Sequence, residues 1–255
     1  MSLLAATMAQ IIRVGGAPPG PVDGSGTGTS GDPYLIGSYA TLELLRTHRS
    51  GNYFKLIADI DCGDANWESV ASFNGYIDGD WHKIYNFNST STSNATGLIR
   101  SSNGYLEIKR LGIEGGTSGV STSSTLYCGY FNAVPSSNHA MLIEDCYCNG
   151  PINNGGDRGG NISGIHQSGG VQTFRRVWAG TDRGGSAQGS RSGGIVFQFT
   201  GIPVVDGAYY STLGLTGNPG ISRTTAQAQD AGNFPQFDFV NHWQIGANGP
   251  EFQPK

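Results

Sequence analysis

The apolar residues of this chain recur with the short period that is typical of β-strands. From Tyr53 the side chains alternate, with Phe54, Leu56 and Ile60 on one face and mostly polar residues on the other. Further along, a short strand with apolar residues at i, i+3 and usually i+5 returns several times. Its copies begin at Ile84, Ile108, Ile143, Phe174 and, more loosely, Val205. A glycine followed by an apolar residue precedes the last four copies, at Gly97, Gly129, Gly164 and Gly194.

Both series repeat about every 31 residues, which lies in the range of solenoid proteins. The stretches between the strands hold Gly, Ser and Asn without a helical pattern, so they predict turns. Because one repeat cannot bury its apolar face alone, the repeats must stack to form a continuous core. The pattern therefore predicts an all-β chain folded as a single right-handed parallel β-helix. A β-propeller is the alternative, but its blades need about 40–45 residues and four strands each.

The two ends of the chain differ from the repeats. Residues 1–31 end in a run of Gly, Pro, Ser and Thr and predict an extended N-terminal arm. A short helix near residues 39–48 should follow, because Ser38 can cap its start and Gly51 can stop it. This helix would cover one open end of the solenoid. The predicted domains are the arm at 1–31, the β-helix at 32–222 and a closing segment at 223–255.

Composition supports the β assignment and argues against two classes of partner. The 255 residues include 41 Gly and only 13% charged residues, which disfavours long helices, while 37% apolar residues suffice for a core. The net charge is −4 and the Lys and Arg residues are scattered, so we expect no nucleic-acid partner. No apolar run approaches the roughly 18 residues of a membrane span. The first residues lack a basic start, so we expect neither membrane insertion nor a signal peptide.

Both ends of the folded part resemble the β-helical surface proteins that carry GLUG-type repeats. At the front, D-P-Y-L-I at 32–36 and Y-F-K-L-I-A-D-I-D at 53–61 precede F-N-G-Y-I-D-G-D-W-H-K-I-Y-N-F at 73–87. At the back, F-D-F and W-Q-I at 237–245 resemble the segment after the last coil. The middle keeps the family's short repeat motif mainly at 97–99. The resemblance implies a right-handed β-helix displayed on bacterial surfaces or phage tail parts, without one particular activity.

The four cysteines predict no metal site, and no cofactor is predicted either. Cys146 and Cys148 fall in the repeating apolar columns of the strands. Their C-x-C spacing is unsuitable for a zinc knuckle, which uses C-x₂₋₄-C. We therefore expect buried thiols that pack as small apolar side chains.

The acidic residues of the repeats are predicted to form ion pairs on the outer face. Glu144 lies one repeat from Lys109 and one repeat from Arg175. The adjoining column repeats this order with Arg110, Asp145 and Arg176. Glycoside cleavage needs two available carboxylates about 5–10 Å apart. Because these carboxylates should face cations instead, we expect a protein without catalytic activity.

Long turns between the strands offer a surface for binding. They carry Asn, Ser, Gln and Arg, and aromatic residues lie near them in the sequence. Aromatic rings beside a few polar groups suit sugars and other polar polymers. The candidate ligand-contact residues are Arg158, Trp178, Arg183, Arg191, Tyr209 and Tyr210.

These observations favour a phage virion protein that displays a β-helix for attachment to a host-surface glycan or protein. It would be a tail fibre, a tail tip or a head-surface fibre, and many weak repeated contacts would suit multivalent attachment. β-Helical fibres often form homotrimers, but neither a coiled coil nor a trimer tail is visible in this sequence, so the oligomeric state stays open. Other virion proteins would bind the arm at Ile11, Ile12, Val14, Pro18 and Pro19. The alternatives are a bacterial cell-surface adhesin, a polysaccharide depolymerase tailspike and a purely structural virion decoration.

Overall fold

The chain folds as an all-β parallel β-helix with short helices at its N-terminal end, as the sequence predicts. The structure is a computed structural model, which describes residues 21–92, 94–122, 127–135, 138–154, 159–165, 169–180, 192–196, 203–211 and 220–255. The strand pairs of the solenoid are parallel, because each coil returns the chain to the same side of the sheet. The right hand of the superhelix stays a prediction.

One long sheet runs along the solenoid. Its strands stack in the order β1, β2, β4, β5, β7, β10, β12 and β13. The strand bounds are β1 Tyr34–Ile36, β2 Ser50–Leu56, β3 Ile60–Asp61, β4 Phe73–Ser91, β5 Ile99–Thr122, β6 Asn132–Val134, β7 Met141–Asn149, β8 Ile152–Asn154, β9 Gly159–Gly160, β10 Gln172–Ala179, β11 Ser192–Gly193, β12 Val204–Ser211 and β13 Ile221–Arg223.

The main core column runs through equivalent positions of successive strands. Its members are Phe54, Ile77, Ile108, Ile143, Phe174 and Val205. The sequence pattern placed Ile84 before Ile108, and this assignment is wrong. Ile84 instead pairs with Ile113 and Ile60 in the neighbouring column. Both columns are buried up to the last strand, so the apolar pattern alone could not distinguish them.

A second core column lies on another side of the coil and holds Leu98, Phe131, Ile162 and Ile195, all of them buried. Its register follows from the bridges that join Ile99 to Asn132, Asn132 to Ser163 and Ser163 to Val196. The glycine-based series placed Ile165 in this column, which is wrong by three residues. The sequence misled because Ile165 is also buried and follows a glycine.

The predicted helix is present as two short turns. They are α1 at Tyr39–Leu42 and α2 at Leu44–Thr47. Ser38 caps α1 as predicted, and its side chain and that of Thr41 form a reciprocal capping box. The buried residues Leu42 and Leu45 pack on the core at this end of the solenoid.

The folded part begins before residue 32, so the predicted boundary of the arm is wrong. Gly24 N–H donates to the carbonyl of Leu35 over 2.9 Å, and Leu35 N–H donates to Ser25 over 2.8 Å. Residues 21–31 therefore add a hydrogen-bonded layer outside β1. Glycine makes this possible, since Gly28 has a φ of +76° and a Cβ there would lie 2.4 Å from the ring of Tyr34.

Asp23 should fix this layer to the helix. Its carboxylate accepts from the backbone N–H of Gly37 (2.6 Å) and from the hydroxyls of Ser38 (2.7 Å) and Thr41 (2.6 Å). We expect Asp23→Ala to lower the free energy of unfolding by about 1 kcal/mol, as the loss of a helix-capping side chain does. Urea denaturation would measure it, with Asp32→Ala as the matched exposed control. Equal stability of both variants would contradict the assignment.

The C-terminal strap, residues 224–255, runs along one side of the solenoid. It contains the helix α3 (Thr225–Ala228), a 3-10 turn (Ala231–Asn233) and the antiparallel hairpin of β14 (Trp243–Gly246) and β15 (Gly249–Phe252). Its contacts extend from Tyr209 in β12 back to Trp81 in β4, where the ring of His242 stacks at 3.9 Å. We expected this segment to close the far end, and its contacts instead follow the side.

An outward column of aromatic side chains explains this course. Tyr147, Trp178 and Tyr209 occupy equivalent positions in β7, β10 and β12 and would expose a large apolar stripe. The strap covers them with its own aromatic residues, which makes a second buried core. Trp178 Nε1–H also donates to the carbonyl of Asn248 over 3.0 Å. Gly249 permits this approach, because a Cβ there would lie 2.6 Å from the indole.

Candidate functional site

An alternating column of charges runs along the outer face of the long sheet. Its members in register are Lys55, Asp78, Lys109, Glu144, Arg175 and Asp206. Neighbouring strands lie about 4.8 Å apart, so each of the four interior charges lies between charges of the opposite sign. This column confirms the predicted stacking of Lys109, Glu144 and Arg175, and it extends in both directions.

A second charged column lies beside the first, at the bend of each coil. Asp80, Arg110, Asp145 and Arg176 all have positive φ, and Gly207 continues the bend at +65°. Residues other than glycine adopt a positive φ at a conformational free-energy cost of roughly 1 kcal/mol. Their charges offset that cost, since Arg110 binds Asp78 and Arg176 Nε lies 2.6 Å from Asp145 Oδ1.

Glu144, an interior carboxylate of this face, is engaged by cations, which makes it a poor general acid. Glu144 Oε1 lies 3.0 Å from Arg175 Nη1 and 2.7 Å from Arg176 Nη2. Burial alone would raise the pKa of Glu144, but the hydrogen bonds from these two guanidinium groups outweigh it and hold the pKa below its usual value. A general acid at neutral pH needs the opposite shift.

Three tyrosines cluster at the N-terminal end of the same face. Tyr53 and Tyr76 are in register, whereas Tyr105 lies two residues before Glu107, the register partner of Tyr76. The rings of Tyr53 and Tyr76 stack in parallel at 4.1 Å, and the ring of Tyr105 lies 5.4 Å from Tyr76 at a tilt of 47°. Tyr105 Oη donates to Glu107 over 2.7 Å, and burial together with this acidic neighbour raises the pKa of Tyr105. The three rings thus contact one another in a row, with the ring of Tyr76 in the middle.

A groove of about 480 Å³ opens beside these tyrosines, and we call it the tyrosine groove. Its lining combines apolar and aromatic residues with charges of both signs. Lys109 Nζ lies 2.7 Å from Glu107, and the hydrogen bond to Glu107 raises the pKa of Lys109, which keeps it charged. The groove is lined by Ser30, Pro33, Tyr53, Phe54, Lys55, Tyr76, Ile77, Asp78, Glu107, Lys109 and Arg110.

The sequence-predicted contact residues lie elsewhere, and three of them are buried. Trp178 and Tyr209 are 0% and 1% exposed under the C-terminal strap, and Tyr210 points into the core at 7%. They cannot contact a receptor on the folded surface, so this prediction is wrong. The cause is the strap, whose path the repeats do not encode. Arg158, Arg183 and Arg191 lie outside the described residues, as do the proposed anchors Ile11, Ile12, Val14, Pro18 and Pro19.

The residues of the tyrosine groove were missed, although the sequence held a signal for them. Tyr53 and Tyr76 each precede a member of the main core column, Phe54 and Ile77. Placing Ile84 in that column hid the equivalence. Aligning Phe54 with Ile77 would have shown two tyrosines one coil apart on the outer face.

The cysteines behave as the sequence predicts. All four are buried and unbridged, and Cys146 and Cys148 pair in register with Val177 and Ala179. Burial raises the pKa of Cys62 to about 12, so its thiol stays protonated near neutral pH. Within the described ranges, no group of three or more His, Cys, Asp or Glu residues is placed to hold a metal ion. None of the helices described there is long and apolar enough to cross a membrane.

Comparison with known proteins supports the fold and does not identify a family. No family model matches this chain, and no curated protein matches it either. A solved structure described as a "putative immunoglobulin A1 protease" from Bacteroides ovatus is similar, with a TM-score of 0.53 and 17% sequence identity. The similarity covers 89% of this chain and 94% of that one. At this identity the likeness shows a shared architecture and does not transfer an activity.

Proposed function

We propose that this chain is a non-catalytic binding module of a phage virion, which attaches to a host-surface glycan through the tyrosine groove. The observation that carries the proposal is the groove itself, where stacked tyrosines lie between charges of both signs. Hydroxyl, ammonium and carboxylate groups in one open groove match the hydroxyl-rich surface of a polysaccharide. Aromatic rings among them supply apolar contact area for the faces of sugar rings.

The shape of the solenoid favours a polymer over a small molecule. The residues that line the tyrosine groove belong to β2, β4 and β5, so a long chain can contact several coils at once. Each contact is weak, and several on one polymer raise the overall affinity without a deep pocket. The paired carboxylates of the same face favour binding over cleavage of that polymer.

Binding to an array of bacterial surface polysaccharides tests the proposal. We expect Tyr76→Ala to weaken binding at least 10-fold. The substitution removes the ring that contacts both Tyr53 and Tyr105, so the aromatic contact area of the groove is interrupted. Tyr76→Phe should keep the stacking and lose only hydroxyl contacts, with a smaller effect. Tyr85→Ala is the matched control, since Tyr85 is a partly exposed tyrosine of the same strand outside the groove.

Three results would contradict the proposal. Unchanged binding by Tyr76→Ala would show that the tyrosine groove is not the site of glycan attachment. New reducing ends from a bound polysaccharide would show cleavage and favour the depolymerase. Absence of the protein from purified phage particles, measured by mass spectrometry, would exclude the virion and favour a bacterial surface protein.

A further inference from the structure

The last coil ends in an edge that still carries apolar core positions. Val205 belongs to the main core column, whose other members are buried, yet Val205 is 39% exposed. Val204, the residue before it, is 49% exposed, and Ile221 of β13, which pairs with Tyr209, is 47% exposed. In the described part of the chain β13 pairs only with Tyr209–Ser211 and leaves the first half of β12 without a strand on this side. An open apolar strand edge is a template for another strand.

The charge pattern specifies what such a strand must bring. Asp206 is the last member of the alternating column, with Arg175 Nε at 3.7 Å on one side and 59% of its side chain exposed. Glu144, an interior acid of the same column, has Lys109 on one side and Arg175 on the other. An added strand that continues the pattern therefore needs an apolar residue over Val205 followed by a cation over Asp206.

We propose that residues 11–13 of a second copy of this chain supply that strand. Their sequence is Ile-Ile-Arg, which places Ile12 over Val205 and Arg13 over Asp206. Arg13 is the only charged side chain in residues 1–20. A pairing of three residues suffices in this fold, because β1 pairs with β2 through three residues only.

The length of the chain favours a second copy over the same one. Gly24 is bound to the outer side of β1, and an added strand beyond β12 lies eight strand spacings away, about 38 Å at about 4.8 Å each. The eleven steps from Arg13 to Gly24 span at most about 36–40 Å when fully extended. A same-chain pairing would need a taut linker without slack, whereas a neighbouring copy has no such constraint.

The contact would join the N-terminal segment of one copy to the C-terminal edge of the next. Two different surfaces meet in such an interface, so it builds either a closed ring or an open stack. The interface lies away from the tyrosine groove, which lines β2, β4 and β5. Loss of self-association and loss of glycan binding can therefore be separated.

Sedimentation velocity of the full chain over a range of concentrations tests the pairing. We expect concentration-dependent oligomers that disappear when residues 1–20 are deleted. Arg13→Asp and Asp206→Arg should each weaken association at least 10-fold, and the double variant should restore it by exchanging the two charges. Asp32→Arg, which makes the same charge change at another exposed site, should associate like the parent chain.

Several outcomes would overturn the proposal. A full chain that is monomeric at every concentration, or a truncated chain that associates equally well, would exclude the N-terminal segment. Failure of the double variant to restore association would exclude the Arg13–Asp206 register. Circular dichroism would confirm that each variant is folded, and Arg13→Asp carries the test if Asp206→Arg does not fold.

Discussion

Replacing Trp178 by alanine should detach the C-terminal strap and lower the free energy of unfolding by about 3–5 kcal/mol. Trp178 is fully buried between Tyr147 and Tyr209, and Phe234 of the strap packs edge-on against it at 5.4 Å. The substitution also removes the donor to Asn248, so one strap carbonyl loses its hydrogen bond. Urea denaturation would measure the stability, and limited proteolysis would measure release of the strap.

Trp81→Ala is the matched control for this prediction. Trp81 stacks on His242 at the far end of the same strap, but it is only partly buried. Its loss should cost less than half as much and should loosen the last residues of the strap alone. If both variants unfold at the same urea concentration, the strap is not held chiefly at Trp178, and the account of its docking is wrong.

The repeats of the sequence predict the solenoid because burial in it is periodic. Each coil places one apolar residue over the last, so Ile108, Ile143 and Phe174 repeat at the spacing of the fold. The same logic places Glu144 beside Arg175, since the charged column has the period of the core. Features that every coil repeats can therefore be predicted from the sequence. The exception is the assignment of a residue to one of two adjacent buried columns, which is where the prediction for Ile84 was wrong.

The strap and the first layer could not be read in this way. Each occurs once, and each is positioned by contacts with residues distant in sequence, such as Asn248 with Trp178. An aromatic residue at an outward position looks the same in the sequence whether solvent or another segment covers it. The expected receptor contacts at Trp178 and Tyr209 failed for this reason, whereas Tyr53 and Tyr76 of the tyrosine groove stay partly exposed.

The two charged columns restrict what the outer face can do. A carboxylate between cations is stabilised in its ionised form and is a poor proton donor. The same pairing gives the charged side chains of the groove partners within the face, such as Glu107 for Lys109. Asp78 and Arg110 have two roles, since they form an ion pair with each other and also line the tyrosine groove.

Glu144→Gln is expected to lower the free energy of unfolding at pH 7 by about 2 kcal/mol, because three cations lose their shared anion. The side chain of Glu144 is 13% exposed, and its carboxylate lies within 3.6 Å of Lys109, Arg175 and Arg176. Glu68→Gln is the matched control. Glu68 pairs with Arg46 at 3.1 Å but is 82% exposed, so its loss should cost less than about 0.5 kcal/mol.

The acid limb of the stability curve provides the second measurement. The folded pKa of Glu144 lies below its unfolded value of about 4.3, so its contribution is present above that pH. The contribution is lost as the pH falls through the folded pKa, when the carboxylate takes up a proton. Urea denaturation from pH 7 to pH 3 should therefore show parent and Glu144→Gln converging at the acid end. A constant difference across that range would show that Glu144 stabilises the fold by packing and not by its charge.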